Sequence, residues 1–545
     1  MGTADLLTHK PKLVVVIVID QFRADYLTRF APRFLSAKKG HGQVGGFKYL
    51  TSTGAYFPFA EYDILQSMTG PGHATILTGS YPYQNGIALN DWYDRDLNRK
   101  IYCAEDIQSP LVTSTASPSS AATGMSPRNL IGTTVGDELK NAGYPSRVVS
   151  LALKDRAAIM MGGHRADLAM WFDPKAKQWI SSRYYLPDGK LPSWITDLNV
   201  AVKKLPPAAA VGIIAAPGTG LSLKDPMASD NYYIKALGGK DHALDSAAQG
   251  AELTVQAAEG ALAAYRLGQG EATDILALSF SSHDYLGHGL GPNSREMEEL
   301  TVQEDRAISR LLNSIQKSVP GGLKQTLIIL TGDHGIPPNP DWLKSQRIDA
   351  GFLDEKALTQ SLNEHLEKKF GHVDGGWISF TADLNFFFNS AAIAAKKPDR
   401  LALENEARAV LLEATHATRS AATPATASAS GGVAHIFTAT DVRERKLPAG
   451  MHERQILHTF FAGRSGDVII IPKPFYMSAG ATVTHMTGYS YDRLVPLVMA
   501  GPHIRAGLYA TPAHVVDIAP TLSFLLGTLP HALSEGRVLS ETIGD

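Results

Sequence analysis

Residues 13–19, Leu-Val-Val-Val-Ile-Val-Ile, form an unbroken apolar run that ends in Asp20. A run of this length without alternation reads as a strand buried on both faces, as in a parallel sheet. The arrangement returns at Ile275–Phe280, followed by Ser-Ser-His-Asp, and at Thr326–Leu330, followed by Thr-Gly-Asp-His-Gly. Further strands are predicted at Arg147–Leu153, Val211–Ala215, Asp467–Ile471 and Val495–Ala500. Helical patterns cover Thr134–Asn141, Glu252–Arg266, Glu298–Ser318 and Val515–Leu526. Strands alternating with helices predict an α/β fold around a mainly parallel sheet.

Several stretches break this alternation and read as insertions. Ser109–Arg128 is rich in Ser, Thr, Pro and Ala and is predicted to be an extended loop. The stretch 171–245 carries aromatics with little periodicity and is expected to cover a site. A larger insertion or cap spans 336–461, with a helix at Lys356–Phe370 and a low-complexity Ala417–Gly432 segment. The core then comprises 1–170, 246–335 and 462–545.

The strand ends carry the candidate chemistry. Open α/β sheets place ligands at the carboxyl edge, and three apolar strands here each run into an acid: Asp20, Asp284 and Asp333. A buried carboxylate without a partner is costly, so three of them point to a cation. On a helix, Asp284 and His288 face the same way and can hold one metal. Asp333 and His334 are adjacent at a strand end, where consecutive side chains diverge, so they can serve two different metals. His485 lies in a polar Val-Thr-His-Met-Thr-Gly loop. His73 and His283 read as packing histidines and stay out of the metal set.

Thr69 heads Thr-Gly-Pro-Gly-His-Ala-Thr. Proline is tolerated in a first helical turn, which makes Thr69 an N-cap whose hydroxyl faces the positive end of a helix dipole, a place suited to phosphate. Most Thr-x-Pro stretches are ordinary helix caps. Composition narrows the options further. With 51 Lys+Arg against 53 Asp+Glu, the net charge of -2 recommends no nucleic-acid or acidic-membrane partner. Cys103 is the one cysteine, which excludes a disulfide within the chain and a Cys-rich zinc site, so any metal is held mainly by His and Asp. No run approaches the roughly 20 apolar residues of a membrane span. Residues 1–10 lack the apolar core of a signal peptide.

Taken in order, Ile17–Tyr26, the Thr69 block with its following Thr-Gly-Ser-Tyr-Pro, Asn90-Asp91-Trp92-Tyr93, Leu153-Lys154-Asp155-Arg156, both Asp/His pairs, His485 and Val516–Thr521 resemble the alkaline phosphatase superfamily. The likeness is to the type I phosphodiesterase/nucleotide pyrophosphatase branch, and especially to bacterial periplasmic alkaline phosphatases with a threonine nucleophile. The resemblance implies a three-layer core with a central, mainly parallel sheet and inserted cap segments. It implies Thr69 as nucleophile. One zinc would be held by Asp20, Thr69, Asp333 and His334, and a second by Asp284, His288 and His485, so the family pattern puts Asp333 and His334 on one metal. Asn90, Lys154 and Arg156 would bind phosphoryl oxygens. It further implies a monomer acting on small phosphate monoesters, inhibited by inorganic phosphate, with a periplasmic or secreted location; cytoplasmic residence also fits the residues.

Two divalent cations balance three aspartates and a threonine alkoxide, and Lys154 and Arg156 add about two positive charges, which suits a monoester dianion better than a diester monoanion. Outside this resemblance, Lys-Asp-Arg would read as a solvated turn. The alternatives are a phosphodiesterase or nucleotide pyrophosphatase on the same two-metal core, and a binding protein that has lost catalysis. A sulfatase is discarded, because its Cys/Ser-x-Pro-x-Arg motif is absent.

Overall fold

The structure is a computed structural model that describes residues 9–114, 124–204, 240–417, 431–447 and 449–544. Its centre is five parallel strands in the spatial order Thr326–Gly332, Leu13–Ile19, Asp274–Phe280, Val148–Ala152 and Leu168–Asp173. Leu13–Ile19 lies in the middle, and all seven of its residues are buried. Its register sets Ile19 beside both Phe280 and Gly332. Residues that follow these three positions therefore emerge together at one edge. Antiparallel Leu494–Ala500 and then Ala55–Glu61 extend the sheet on one side, and Gln178–Ser182 and Glu105–Val112 extend it on the other.

The alternation of a strand sends neighbouring side chains to opposite faces, and both faces of this sheet are covered. Leu13, Val15, Ile17 and Ile19 pack with residues of the helices Lys240–Ala264 and Arg295–Ser318. Val14, Val16 and Val18 pack with Ile76 and Leu77 and with the Ile518–Leu526 helix. Ser294 caps Arg295–Ser318 by accepting from the Met297 N–H, and the apolar face of that helix buries Met297, Leu300, Ile308, Leu311 and Ile315, spaced three, four or eight residues apart as one helix face requires. The result is a helix–sheet–helix core.

The central sheet is mixed and mostly parallel, as expected, with antiparallel strands flanking the parallel centre. Several other expectations need correction. Val468–Pro472, expected in the core, lies in a second, four-stranded antiparallel sheet with Ile378–Ala382, Asn385–Phe388 and Val433–Thr438. An apolar run shows burial but not which sheet supplies its hydrogen-bond partners. Leu168–Asp173 and Gln178–Ser182 are central-sheet strands, so the start of 171–245 is core and not cover. Glu105–Val112 and Gly124–Met125 pair as edge strands where a loop was expected. Val211–Ala215 and most of Ala417–Gly432 lie outside the described residues. Among those described, no helix is long and apolar enough to cross a membrane.

Candidate active site

The carboxyl edge collects the strand-end acids. Asp20 directly follows Ile19, and its N–H bonds the Phe280 carbonyl at 3.0 Å. The Ser282–Leu290 helix places Asp284 and His288 one turn apart, with His288 Nε2 3.2 Å from Asp284 Oδ1. His485 arrives from its loop, Nε2 3.6 Å from the same oxygen. Ligand atoms of Asp284, His288 and His485 lie within 4.8 Å of one another, and those of Asp20, Asp333 and His334 do likewise. Asp333 and His334 therefore share a cluster and do not diverge to two sites, because the chain turns sharply after Gly332 and brings both side chains toward Asp20. The His334 and His485 rings stack at 3.7 Å, which joins the clusters.

Both clusters fit divalent cations. Nδ1 of His288 lies 2.8 Å from the Val483 carbonyl, Nδ1 of His485 lies 2.5 Å from that of Ser67, and Nδ1 of His334 lies 3.0 Å from that of Gly335. A carbonyl only accepts, so each Nδ1 carries the proton and each Nε2 presents its lone pair to the cluster. Burial holds His334 down to about 3 and also lowers His485, which keeps both rings neutral. Asp20 Oδ1 and His334 Nε2 are buried 3.5 Å apart with no hydrogen-bond partner among the described residues. Aspartate–imidazole donor sets of this kind suit zinc and neighbouring metals.

Thr69 is 2% exposed and is the first residue of the Thr69–Thr78 helix. The N-cap is Met68, in extended backbone (φ -137°, ψ 163°), and not Thr69 as the sequence pattern implied. Pro71 then sits third in the helix, still among the first-turn positions whose N–H has no helical partner. The Thr69 hydroxyl is thereby free of capping duty. Lys154 Nζ lies 3.2 Å and Arg156 Nη2 3.4 Å from Oγ1. Lys-Asp-Arg is buried throughout. Lys154 also pairs with Asp20 Oδ2 at 2.5 Å and Asp284 Oδ2 at 2.6 Å. Burial pushes the Asp284 carboxyl up, but Lys154 and His288 outweigh it and hold it well below the usual range. Asp20 is pushed well above that range by burial and by Asp333, against the pull of Lys154. Asn90 accepts from the Gly70 N–H through Oδ1 at 2.8 Å, which fixes its amide at the start of the same helix.

Close approach explains two glycines. A Cβ on Gly72 would lie 2.5 Å from the Asp333 carbonyl oxygen, so the Thr69–Thr78 helix meets the turn at Asp333 only without a side chain there. A Cβ on Gly70 would lie 2.9 Å from Asn90 Oδ1.

Other residues take part without having been singled out. Tyr102 accepts from Arg156 Nη1 at 3.3 Å and donates to Asp155 Oδ1 at 2.5 Å, and Asp155 Oδ1 also accepts the Arg156 N–H at 2.6 Å. Tyr102, anchored by Asp155, orients the guanidinium. His73, set aside as a packing residue, joins three groups. Its Nε2 lies 2.9 Å from Ser279 Oγ, and its Nδ1 lies 2.9 Å from the Thr69 carbonyl and 3.2 Å from Asp333 Oδ2. The signal was its position four residues after Thr69, one helical turn on. His283, by contrast, packs edge-on against Phe22 and bonds Thr301 Oγ1 at 3.0 Å, as a core histidine does. His73→Gln is expected to lower kcat about tenfold or more with little change in KM, since it loosens Thr69 and Asp333 without touching substrate. An unchanged kcat would assign His73 to packing alone.

Comparisons with known proteins place the chain in a family. A family model described as "Type I phosphodiesterase / nucleotide pyrophosphatase" matches residues 14–489. Alkaline phosphatase PafA of Elizabethkingia meningoseptica is 32% identical over 98% of this chain and 95% of its own length. A Myroides odoratus protein named calcium-transporting ATPase is 31% identical over 95% of this chain and 92% of its own. Alkaline phosphatase PhoV of Synechococcus elongatus is 31% identical over 98% and 93%. The crystal structure of PafA superposes with a TM-score of 0.82 at 30% identity, covering 98% of this chain and 99% of that one. Another PafA structure, at TM-score 0.81, is of a variant changed at one Thr, one Asn, one Lys and one Arg. This chain is an enzyme of the alkaline phosphatase kind, and it belongs to the type I phosphodiesterase/nucleotide pyrophosphatase family.

Proposed function

We propose that this chain hydrolyses phosphate monoesters through a covalent phosphothreonine on Thr69, with one zinc at Asp20, Thr69, Asp333 and His334 and another at Asp284, His288 and His485. The observation that carries the reading is the buried Thr69 hydroxyl, met at 3.2 and 3.4 Å by Lys154 and Arg156 beside both clusters. The variant PafA structure adds support: its changed Thr and Asn stand as far apart in sequence as Thr69 and Asn90, and its changed Lys and Arg as far apart as Lys154 and Arg156.

When bound, the cations acidify the threonine hydroxyl and neutralise charge at the attacking and leaving oxygens. Thr69 Oγ1 gives up its proton to solvent and attacks phosphorus. The Oγ1–P bond forms as the P–O bond to the leaving group breaks, and the departing oxygen takes a proton from water to leave as the alcohol. Water later attacks the phosphothreonine, releasing inorganic phosphate and restoring the Thr69 hydroxyl. Arg156 offers a planar fork to two phosphoryl oxygens, held in place by Tyr102 and Asp155. The Asn90 amide donates to a third.

The second reading is diester or pyrophosphate hydrolysis on the same core, favoured by the description of the family model. The test is kcat/KM for p-nitrophenyl phosphate against bis-p-nitrophenyl phosphate, on zinc-loaded protein in one buffer. A preference for the monoester of about 100-fold or more is expected, from the extra phosphate charge facing Arg156. A diester preference would overturn the monoesterase assignment.

A further inference from the structure

The two ligand clusters come from segments far apart in sequence, yet Lys154 and Gln21, both outside the ligand set, each touch both. Gln21 follows the ligand Asp20. Its N–H donates to Asp333 Oδ1 at 2.9 Å, and its Nε2 donates to Asp284 Oδ1 at 2.7 Å. Resting on the two-metal reading above, we infer that Gln21 is a positioning residue that locks the Asp284 carboxylate for its metal and sets that cluster's orientation against Asp333.

The atoms involved carry the argument. Asp284 Oδ1, the oxygen Gln21 holds, is the one facing His288 Nε2 at 3.2 Å and His485 Nε2 at 3.6 Å. Its other oxygen, Oδ2, is held by Lys154 at 2.6 Å. Donors on both oxygens fix the plane of the carboxylate, and it is the plane that decides whether a lone pair points into the cluster. Reversing the Gln21 amide would set Oε1 against a carboxylate oxygen, acceptor against acceptor, so Nε2 is the atom that faces Asp284.

The surroundings accept costs to keep this arrangement. Gln21 sits at φ 64°, the left-handed region that residues other than glycine rarely adopt. Gln21 Oε1 is buried without a hydrogen-bond partner among the described residues. It fits against Gly287, where a Cβ would lie 1.7 Å away. Gly287 stands between Asp284 and His288 on the ligand-bearing helix, so the helix closes on Gln21 only because that position lacks a side chain. A residue retained merely to fill space would need neither the left-handed turn nor the orphaned amide oxygen.

Two variants separate the hydrogen bond from packing. Gln21→Met keeps the volume and removes the donor. Gln21→Gly suits the left-handed turn, keeps the N–H bond to Asp333 and removes the side chain. Zinc stoichiometry and affinity are measured by chelator competition, and the cobalt(II) absorption spectrum of each variant is compared with wild type alongside its melting temperature. Both variants are expected to bind one of two zinc ions about 10- to 100-fold more weakly, with an altered cobalt spectrum, while the other site stays near its wild-type affinity. Unchanged affinity at both sites, or equal weakening of both, would overturn the role of Gln21. Wild-type protein that binds fewer than two zinc ions would instead overturn the two-metal reading itself, whatever the variants do.

Discussion

Thr69→Ala is expected to lower kcat/KM for p-nitrophenyl phosphate by about 10⁴-fold or more, because among the described residues the neighbouring serine hydroxyls are otherwise placed. Ser67 is engaged with the Thr487 carbonyl at 3.2 Å, and the serine nearest His73, Ser279, is buried in a strand. The same variant is expected to bind inorganic phosphate, since Arg156, Lys154 and Asn90 remain. Thr69→Ser keeps the hydroxyl and should retain much of the rate. Steady-state kinetics, with phosphate binding followed by calorimetry, separate these outcomes. Near-normal turnover by Thr69→Ala would remove Thr69 as nucleophile. Loss of phosphate binding along with turnover would mean that the change had disturbed the whole site.

Arg156→Met is expected to cost the monoester about 3 kcal/mol of transition-state stabilisation, roughly 100-fold in kcat/KM, from the loss of charge-assisted hydrogen bonds. Its effect on a diester should be several-fold smaller, because a diester carries one negative charge less. Lys154→Met should behave differently. Lys154 contacts Asp20 and Asp284 as well as Thr69, so its removal strips a cation from two buried carboxylates. That variant should change zinc affinity and lower monoester and diester rates together. The comparison is made with both substrates and with zinc titrations. Equal losses on both substrates for Arg156→Met would show that its charge does not discriminate between them.

The contrast between these two cations also marks where the charge argument drawn from sequence needed the fold. Counting charges treats Lys154 and Arg156 as an equivalent pair facing the substrate. In the structure Arg156 is backed by Tyr102 and Asp155, whereas Lys154 lies between one carboxylate from each cluster.

Much of the core was legible in local pattern. An unbroken apolar run of strand length reads as a strand covered on both faces, so the strands read at Leu13–Ile19, Ile275–Phe280 and Thr326–Leu330 were visible, and so were the acids at their ends. The four-residue spacing of Asp284 and His288 was enough to put them on one side of a helix. What depends on distant pairing was not legible in local pattern. The grouping of Asp333 and His334 with Asp20, which local pattern left open and the family resemblance implied, follows from a turn and from strand register, neither of which leaves a mark in composition. Val468–Pro472 looks like a core strand because burial, and not its partners, shapes its sequence. Gln21 and His73 have ordinary local patterns and acquire their roles only because residues hundreds of positions away come within hydrogen-bond distance. Sequence alone determined which residue types stand at the ends of buried strands, since hydrophobic burial is written in each segment. Local pattern left open which of them share a cluster, the family resemblance supplied an expected grouping, and the tertiary structure brought those residues together, because hydrogen bonds and metal sites form between segments whose separation in the chain carries no record of their meeting.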